Sequence, residues 1–244
     1  MPLALPATAL TPRQTLPTRC DRSVMSTRGV VKSAGVVLAG GRSSRMGTSK
    51  AALEWHGSTL LGHTVEILAQ ATGGPVVVVG AVGQDLPDPP AGTLVAEDPR
   101  PDRGPLQGIA AGLAALSGRA DIAFVSATDM PFLHPAFIRR VLGVLEEDND
   151  LDVALPVAGG HKQPLAAGYR VSLAETAERL VAEDRLRPAF LFEQCRVRTL
   201  DDTELLRDPL LAALDPGLDS VLNLNTPADY AAARARPALG EGVT

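Results

Sequence analysis

Val36-Val37-Leu38-Ala39-Gly40-Gly41-Arg42-Ser43-Ser44-Arg45-Met46-Gly47-Thr48-Ser49-Lys50 is the stretch whose reading decides the fold. A β-branched apolar run ends in paired glycines, and a polar loop carrying Arg45, a third glycine and Lys50 follows. Glycine at a strand end lets the backbone come close to a ligand and aim its N–H groups at it. Arg45 and Lys50 add two fixed positive charges. The stretch therefore reads as an anion cradle at the carboxyl end of a strand, where open α/β sheets bind ligands. It is not a dinucleotide fingerprint, because no G-x-G-x-x-G follows the strand, and this disfavours a nicotinamide-dependent oxidoreductase. It is not a Walker A loop either, because Gly47 is not followed by Lys.

Around this stretch, strand-like and helix-like patterns alternate. Buried strands are expected over 35–38, 75–79, 93–96, 122–126 and 151–155, each a short apolar run bounded by turn residues. Helical spacing of apolar residues marks 60–70, 106–116 and 135–145. Near-continuous apolar strands alternating with helices imply a parallel sheet covered on both faces. The fold class expected is α/β: a three-layer α/β/α Rossmann-like domain with a mostly parallel sheet. In the second half, 163–169 reads as an edge or crossing strand and 196–200 as a short strand. Helices are expected over 171–182, 187–193 and 227–235, and 201–217 reads as a surface loop.

The chain has 244 residues, which suits one large domain or at most two small ones. A net charge of −5 argues against a generally basic nucleic-acid surface. No apolar stretch approaches the roughly 20 residues a membrane span needs. Cys20 and Cys195 are far apart and form no metal-like pattern, which fits free thiols in a cytoplasmic setting. Residues 1–32 are basic and rich in Pro and Thr, with Asp21 the single acid. They read as a disordered or mis-assigned extension, with Met25 as an alternative start. Residues 33–236 form the expected domain, and 237–244 a flexible tail.

Three further elements carry chemistry. Asp129 ends a strand in Thr128-Asp129-Met130-Pro131, so its carboxylate faces the same crevice as the glycine loop. It suits Mg²⁺, which takes one or two carboxylates besides phosphate oxygens and water, although Asp at this place also caps helices. Glu97-Asp98 follows another strand, and Gly104-Pro105-Leu106-Gln107-Gly108 opens a helix whose first N–H groups are free for an anion or carbonyl. Asn223 and Asn225, two apart, point the same way on extended chain. Thr226-Pro227 then starts a helix, and Asn225 alternatively just shapes that turn. The histidines at 56, 63, 134 and 161 lack metal-ligand spacing and read as surface or boundary residues.

Taken in order, the glycine loop, Glu97-Asp98, Gly104-Pro105-Leu106, Asp129-Met130-Pro131, Gln163-Pro164-Leu165 and Asn223 to Pro227 resemble the MobA-like nucleotidyltransferase family. Gln163-Pro164-Leu165 leans toward its molybdenum cofactor guanylyltransferases. The resemblance implies transfer of GMP from Mg·GTP to molybdopterin, with release of pyrophosphate. It implies Arg45, Lys50 and Asp129 as catalytic residues, and Asp129 as the ligand of Mg²⁺. The nucleotide would be held by Leu38, Ala39, Gly40, Gly41, Lys50, Gly80, Asp98, Gly104 and Asp129. Asn223 and Asn225 would hold molybdopterin. Partners implied are GTP, molybdopterin and, transiently, proteins that deliver the cofactor or accept the product. A molybdopterin cytidylyltransferase and a non-catalytic nucleotide-binding regulator stay open as alternatives. Two positions depart from the family pattern: Ser49 stands where Asp often precedes the loop lysine, and Gly80 stands where a polar residue often helps read the base.

Overall fold

The computed structural model describes residues 30–40, 49–98 and 104–236. The expectations for residues 1–29, Gly41, Arg45 and 237–244 lie outside the described residues. Strand β1 (Ser33–Leu38) leads through the loop to a 3₁₀ turn at Lys50–Ala52. The hairpin β2 (Glu54–Trp55) and β3 (Ser58–Thr59) follows, and then helix α1 (Leu60–Thr72). Thr59 caps α1 by accepting the Gly62 N–H at 3.0 Å. Next come β4 (Val76–Ala81), β5 (Leu94–Asp98), α2 (Pro105–Ala115), β6 (Ile122–Ala127) and α3 (Pro135–Glu147). The remaining strands are β7 (Val153–Ala158), β8 (His161–Lys162), β9 (Ala166–Arg170) and β10 (Val197–Asp201). Between and after them lie α4 (Ala174–Ala182), α5 (Pro188–Phe192), α6 (Asp202–Leu205), α7 (Pro209–Leu214) and α8 (Pro227–Arg234).

The main sheet runs β10-β7-β9-β6-β1-β4-β5, with β8 paired to β7. β5, β4, β1 and β6 are mutually parallel, as are β7 and β10. β9 runs antiparallel between β6 and β7. The mostly parallel α/β sheet is therefore as expected, and 166–170 is a crossing strand inside the sheet rather than an edge. One face is covered by α1 and α3, whose Leu61, Val65, Leu68, Phe137, Ile138 and Val141 share a core with Val37, Val78 and Phe124. The other is covered by α2 and α4, where Leu106, Ile109, Leu113 and Leu180 meet Val36, Val77 and Val125. Alternate residues of β1 thus enter opposite cores, as the period of two requires. Helix α2 lies close on β1, because a Cβ at Gly112 would stand 2.4 Å from Val36 Cγ1.

The stretch 201–217 corrects the loop reading. Asp201 accepts the Glu204 N–H and Asp208 the Leu211 N–H, each at 2.8 Å, and so start α6 and α7. Both helices bury a leucine completely, Leu205 and Leu211, against the α3 side of the sheet. One fully buried residue per short helix is too sparse to show as periodicity, yet it is enough to anchor each turn.

Candidate active site

Four parallel strands deliver their carboxyl ends to one cavity of about 500 Å³. β1 supplies Leu38 and then Gly40, β4 supplies Val79 and Ala81, β5 supplies Asp98, and β6 supplies Ala127 and then Asp129. Gly104, Pro105 and Gly108 of the α2 start form one wall, and Leu165, Asn223 and Asn225 another. The topology alone explains this gathering: parallel strands joined by helices put all their βα turns on one edge.

Lys50 Nζ donates to Asp129 Oδ2 at 2.8 Å, and the two side chains are 19% and 21% exposed. Lys50 and Asp129 are thus joined at the cavity across a separation of 79 residues in sequence. Three chain segments that meet here share a small core of their own. Leu53 and Trp55 follow Lys50, Phe132 follows Asp129, and Leu224 lies between Asn223 and Asn225; with Leu60, Tyr230 and Ala233 they form one apolar cluster. Trp55 and Phe132 meet edge to face with ring centroids 5.8 Å apart. Leu224 N also donates to Asp129 O at 2.9 Å. Leu224 is buried while its two asparagine neighbours are exposed and line the cavity, so the amides do lie on one side of the chain. Asp229 accepts the N–H groups of Asn225 and Thr226 at 3.1 and 2.8 Å, which holds this turn in place. Hydrogen bonding with the Thr226 side chain, then with those amides, keeps its carboxyl below the usual range, and the Lys50 charge adds to this.

Leu38, Gly40, Asp98, Gly104, Asp129, Asn223 and Asn225 are thus brought to one cavity, with Lys50 bonded to Asp129. Ala39, between the lining residues Leu38 and Gly40, is itself buried in the core on the α1 and α3 side. Gly80 lies in β4 between two lining residues but is itself covered: a Cβ there would stand 2.7 Å from Leu86 Cδ1. The tip of Leu86 therefore lies where a Cβ at position 80 would stand. The α2 start also differs from expectation, since Leu106 N donates to Leu186 O at 3.4 Å and Gln107 N to Gly104 O at 3.3 Å. Those two amides already have protein acceptors.

His63 carries more than its sequence context indicates. Its Nε2 lies 2.9 Å from Pro131 O, so the neutral ring donates there and braces the Asp129-Met130-Pro131 turn. The signal would have been its place in α1 opposite that turn, which no local pattern reveals. Burial pushes its pKa below the ordinary 6.5, against the raising effects of the Pro131 bond and Glu66. The unfolded chain therefore binds a proton here that the folded chain resists. This contribution to stability is complete above pH 6.5 and is lost as pH falls below it, toward the folded pKa. His134, lowered first by burial, acts in the same direction. The melting temperature should fall between pH 7.5 and 5.5, and His63→Gln should make that fall shallower. An unchanged slope in the variant would remove His63 from this role.

The fold agrees with what comparison finds. The MobA-like NTP transferase domain model matches residues 35–198. The chain belongs to the MobA-like NTP transferase family, and it is accordingly a nucleotidyltransferase. It is 42% identical over 152 residues to a Mycobacterium avium (strain 104) protein named probable molybdenum cofactor guanylyltransferase, covering 61% of this chain and 75% of that one. A protein of the same name from Mycobacterium tuberculosis (strain ATCC 25618 / H37Rv) is 44% identical over 154 residues, covering 62% and 74%. The crystal structure of molybdopterin-guanine dinucleotide biosynthesis protein A from Archaeoglobus fulgidus superposes with a TM-score of 0.64 at 24% identity, over 83% of this chain and 97% of that one. That likeness concerns the fold. Among the described residues, no helix is long and apolar enough to cross a membrane.

Proposed function

We propose that the protein transfers GMP from GTP to the terminal phosphate of molybdopterin, giving the guanine dinucleotide form of the molybdenum cofactor and pyrophosphate. The observation that carries this reading is the Lys50–Asp129 pair, set at the strand ends in a cavity that Asn223 and Asn225 share. Named guanylyltransferase relatives match this chain over most of their length.

The reaction forms a bond from an acceptor phosphate oxygen to the α-phosphorus of GTP and breaks the bond from that phosphorus to the bridging oxygen of pyrophosphate. The attacker is already an anion, so no protein nucleophile is needed. The protein's task is positioning and charge neutralisation. Lys50 puts a positive charge where negative charge builds up on the phosphates. Asp98 and the Gly104 turn border the nucleoside part of the cavity, and Asn223 with Asn225 orients the acceptor. The donor set also fits Mg²⁺. Asp129 offers hard carboxylate oxygens, and among the described residues no group of three or more His, Cys, Asp or Glu forms a closed metal cage. Mg²⁺ suits such an open site because it takes only one or two carboxylates besides phosphate oxygens and water. Bound at Asp129, it would neutralise phosphate charge and polarise the attacked phosphorus.

The test is purified protein with Mg²⁺, molybdopterin and each nucleoside triphosphate in turn, with products identified by mass. GTP should give the dinucleotide and pyrophosphate at the highest kcat/KM. A preference for CTP would make the protein a cytidylyltransferase of the same fold. No pyrophosphate from any nucleotide would overturn the reading.

A further inference from the structure

The ends of β1 and β4 are tied by a side chain that lies outside every motif discussed so far. Past the last backbone bond between β1 and β4, where Ala39 N donates to Val79 O at 2.9 Å, the two strands no longer pair directly. Gln84 bridges them instead. Its Nε2 donates to Ala39 O at 2.9 Å, and its Oε1 accepts the Ala81 N–H at 2.9 Å. Its own N–H donates to Ala81 O at 3.0 Å, closing the turn of residues 81–84 in which Gly83 takes φ +71°. Next along the chain, Val82 N donates to Asp98 O at 3.3 Å. A single hydrogen-bonded path therefore runs from the end of β1, through Gln84 and the end of β4, to the end of β5. It starts at Ala39, next to the cavity residue Gly40, and ends at the cavity residue Asp98, with the cavity residue Ala81 on the way.

The chemistry at this place is specific. A primary amide has one acceptor and one donor side, and here each meets the opposite kind of backbone group, as a peptide unit of a third strand would. The single N–H of Ala81 is used inward and is withdrawn from any ligand. Gly40 lies next to the bridge: a Cβ there would be in ordinary contact with Ala81 N at 3.7 Å and Gln84 Oε1 at 4.0 Å. Gln84 thus holds the peptide carbonyl that leads into Gly40. Gly80 offers no side chain to a base, so backbone placement has to do more of the reading.

We infer that Gln84 is a specificity-determining positioning residue, one that fixes where the backbone at Gly40, past the end of β1, meets the nucleobase by tying β1 to β4. This rests on the reading that the cavity holds a nucleotide. A site that hydrogen-bonds its substrate discriminates strongly only while its own polar groups are held in register. Gln84 touches neither phosphate nor reacting atoms, so its loss should appear in nucleotide choice before it appears in chemistry.

Two variants separate the bonds. Gln84→Glu keeps an acceptor for Ala81 N–H but sets a carboxylate oxygen against Ala39 O, whereas Gln84→Leu removes both bonds. For each, the affinity for GTP, CTP and ATP is measured by calorimetry without acceptor, and kcat and KM are measured with it. Both variants should raise KM for the preferred nucleotide about tenfold, and compress its affinity advantage over the others by a similar factor, while kcat stays within about threefold. Equal losses for all nucleotides, or a drop in kcat alone, would assign Gln84 a structural role only and overturn the proposal. Unchanged selectivity in the well-folded Glu variant would do the same. Should the wild type bind no nucleotide at all, the reading of the cavity falls and this proposal with it. Should it bind nucleotide but transfer nothing to molybdopterin, the proposed function fails while the selectivity comparison still decides the role of Gln84.

Discussion

Asp129→Asn should lower turnover by roughly two to four orders of magnitude, the scale of several kcal/mol that metal-assisted charge stabilisation supplies. The substitution keeps the shape of the side chain and an oxygen that can still accept from Lys50 Nζ, now 2.8 Å from Oδ2. The backbone bond from Leu224 N to Asp129 O does not involve the side chain and persists. The neighbouring cluster of Trp55, Phe132 and Leu224 is also untouched. What disappears is the negative charge by which, under the proposed function, this position would hold a cation. The variant should therefore melt close to the wild type, and its residual activity should respond weakly to added Mg²⁺. The decisive measurement is kcat at saturating nucleotide across a Mg²⁺ titration. Activity within threefold of the wild type with the same Mg²⁺ dependence would remove Asp129 from the metal site.

Lys50→Ala should reduce kcat by roughly two to three orders of magnitude while raising nucleotide KM much less, as expected of a charge that acts on the transition state more than on the ground state. Lys50 opens the 3₁₀ turn that leads into Leu53 and Trp55, so its stem starts from a braced segment and its ammonium needs little ordering at the moment of reaction. Alanine continues that turn without strain. It leaves Asp129 without its 2.8 Å cation at a partly buried position, so a modest loss of stability accompanies the loss of rate. Single-turnover rates separate the two effects, because they report the chemical step after binding. A variant whose single-turnover rate matches the wild type, with only KM raised, would make Lys50 a binding residue.

Both predictions rest on residues that local sequence marks well. The glycine-ended strand, the Asp129-Met130-Pro131 turn and the Asn223-Leu224-Asn225-Thr226-Pro227 run each combine a strand end or helix start with polar groups. That combination places chemistry at the βα edge of a parallel sheet. The separation of the two cores was equally readable, since Val36 and Val37 enter opposite faces through the period of two. Where the chain is held by one contact per turn, local reading failed. Asp201 to Gly217 shows two capping aspartates, but its helices depend on Leu205 and Leu211 finding a surface formed by distant residues.

By itself, the sequence determined the alternation of strands and helices, the parallel character of the sheet and the identity of its charged and amide groups. These follow from backbone sterics, apolar periodicity and capping, which act within a few residues. Only the tertiary structure decided that β9 runs antiparallel between β6 and β7, and that Lys50 meets Asp129. Likewise, it alone decided that His63 braces Pro131, that Leu86 covers Gly80 and that Gln84 bridges β1 to β4. Each of these joins groups far apart in the chain or redirects a side chain with several open rotamers. Such contacts form only when the whole sheet and its two helical layers close around them, so no local pattern encodes them.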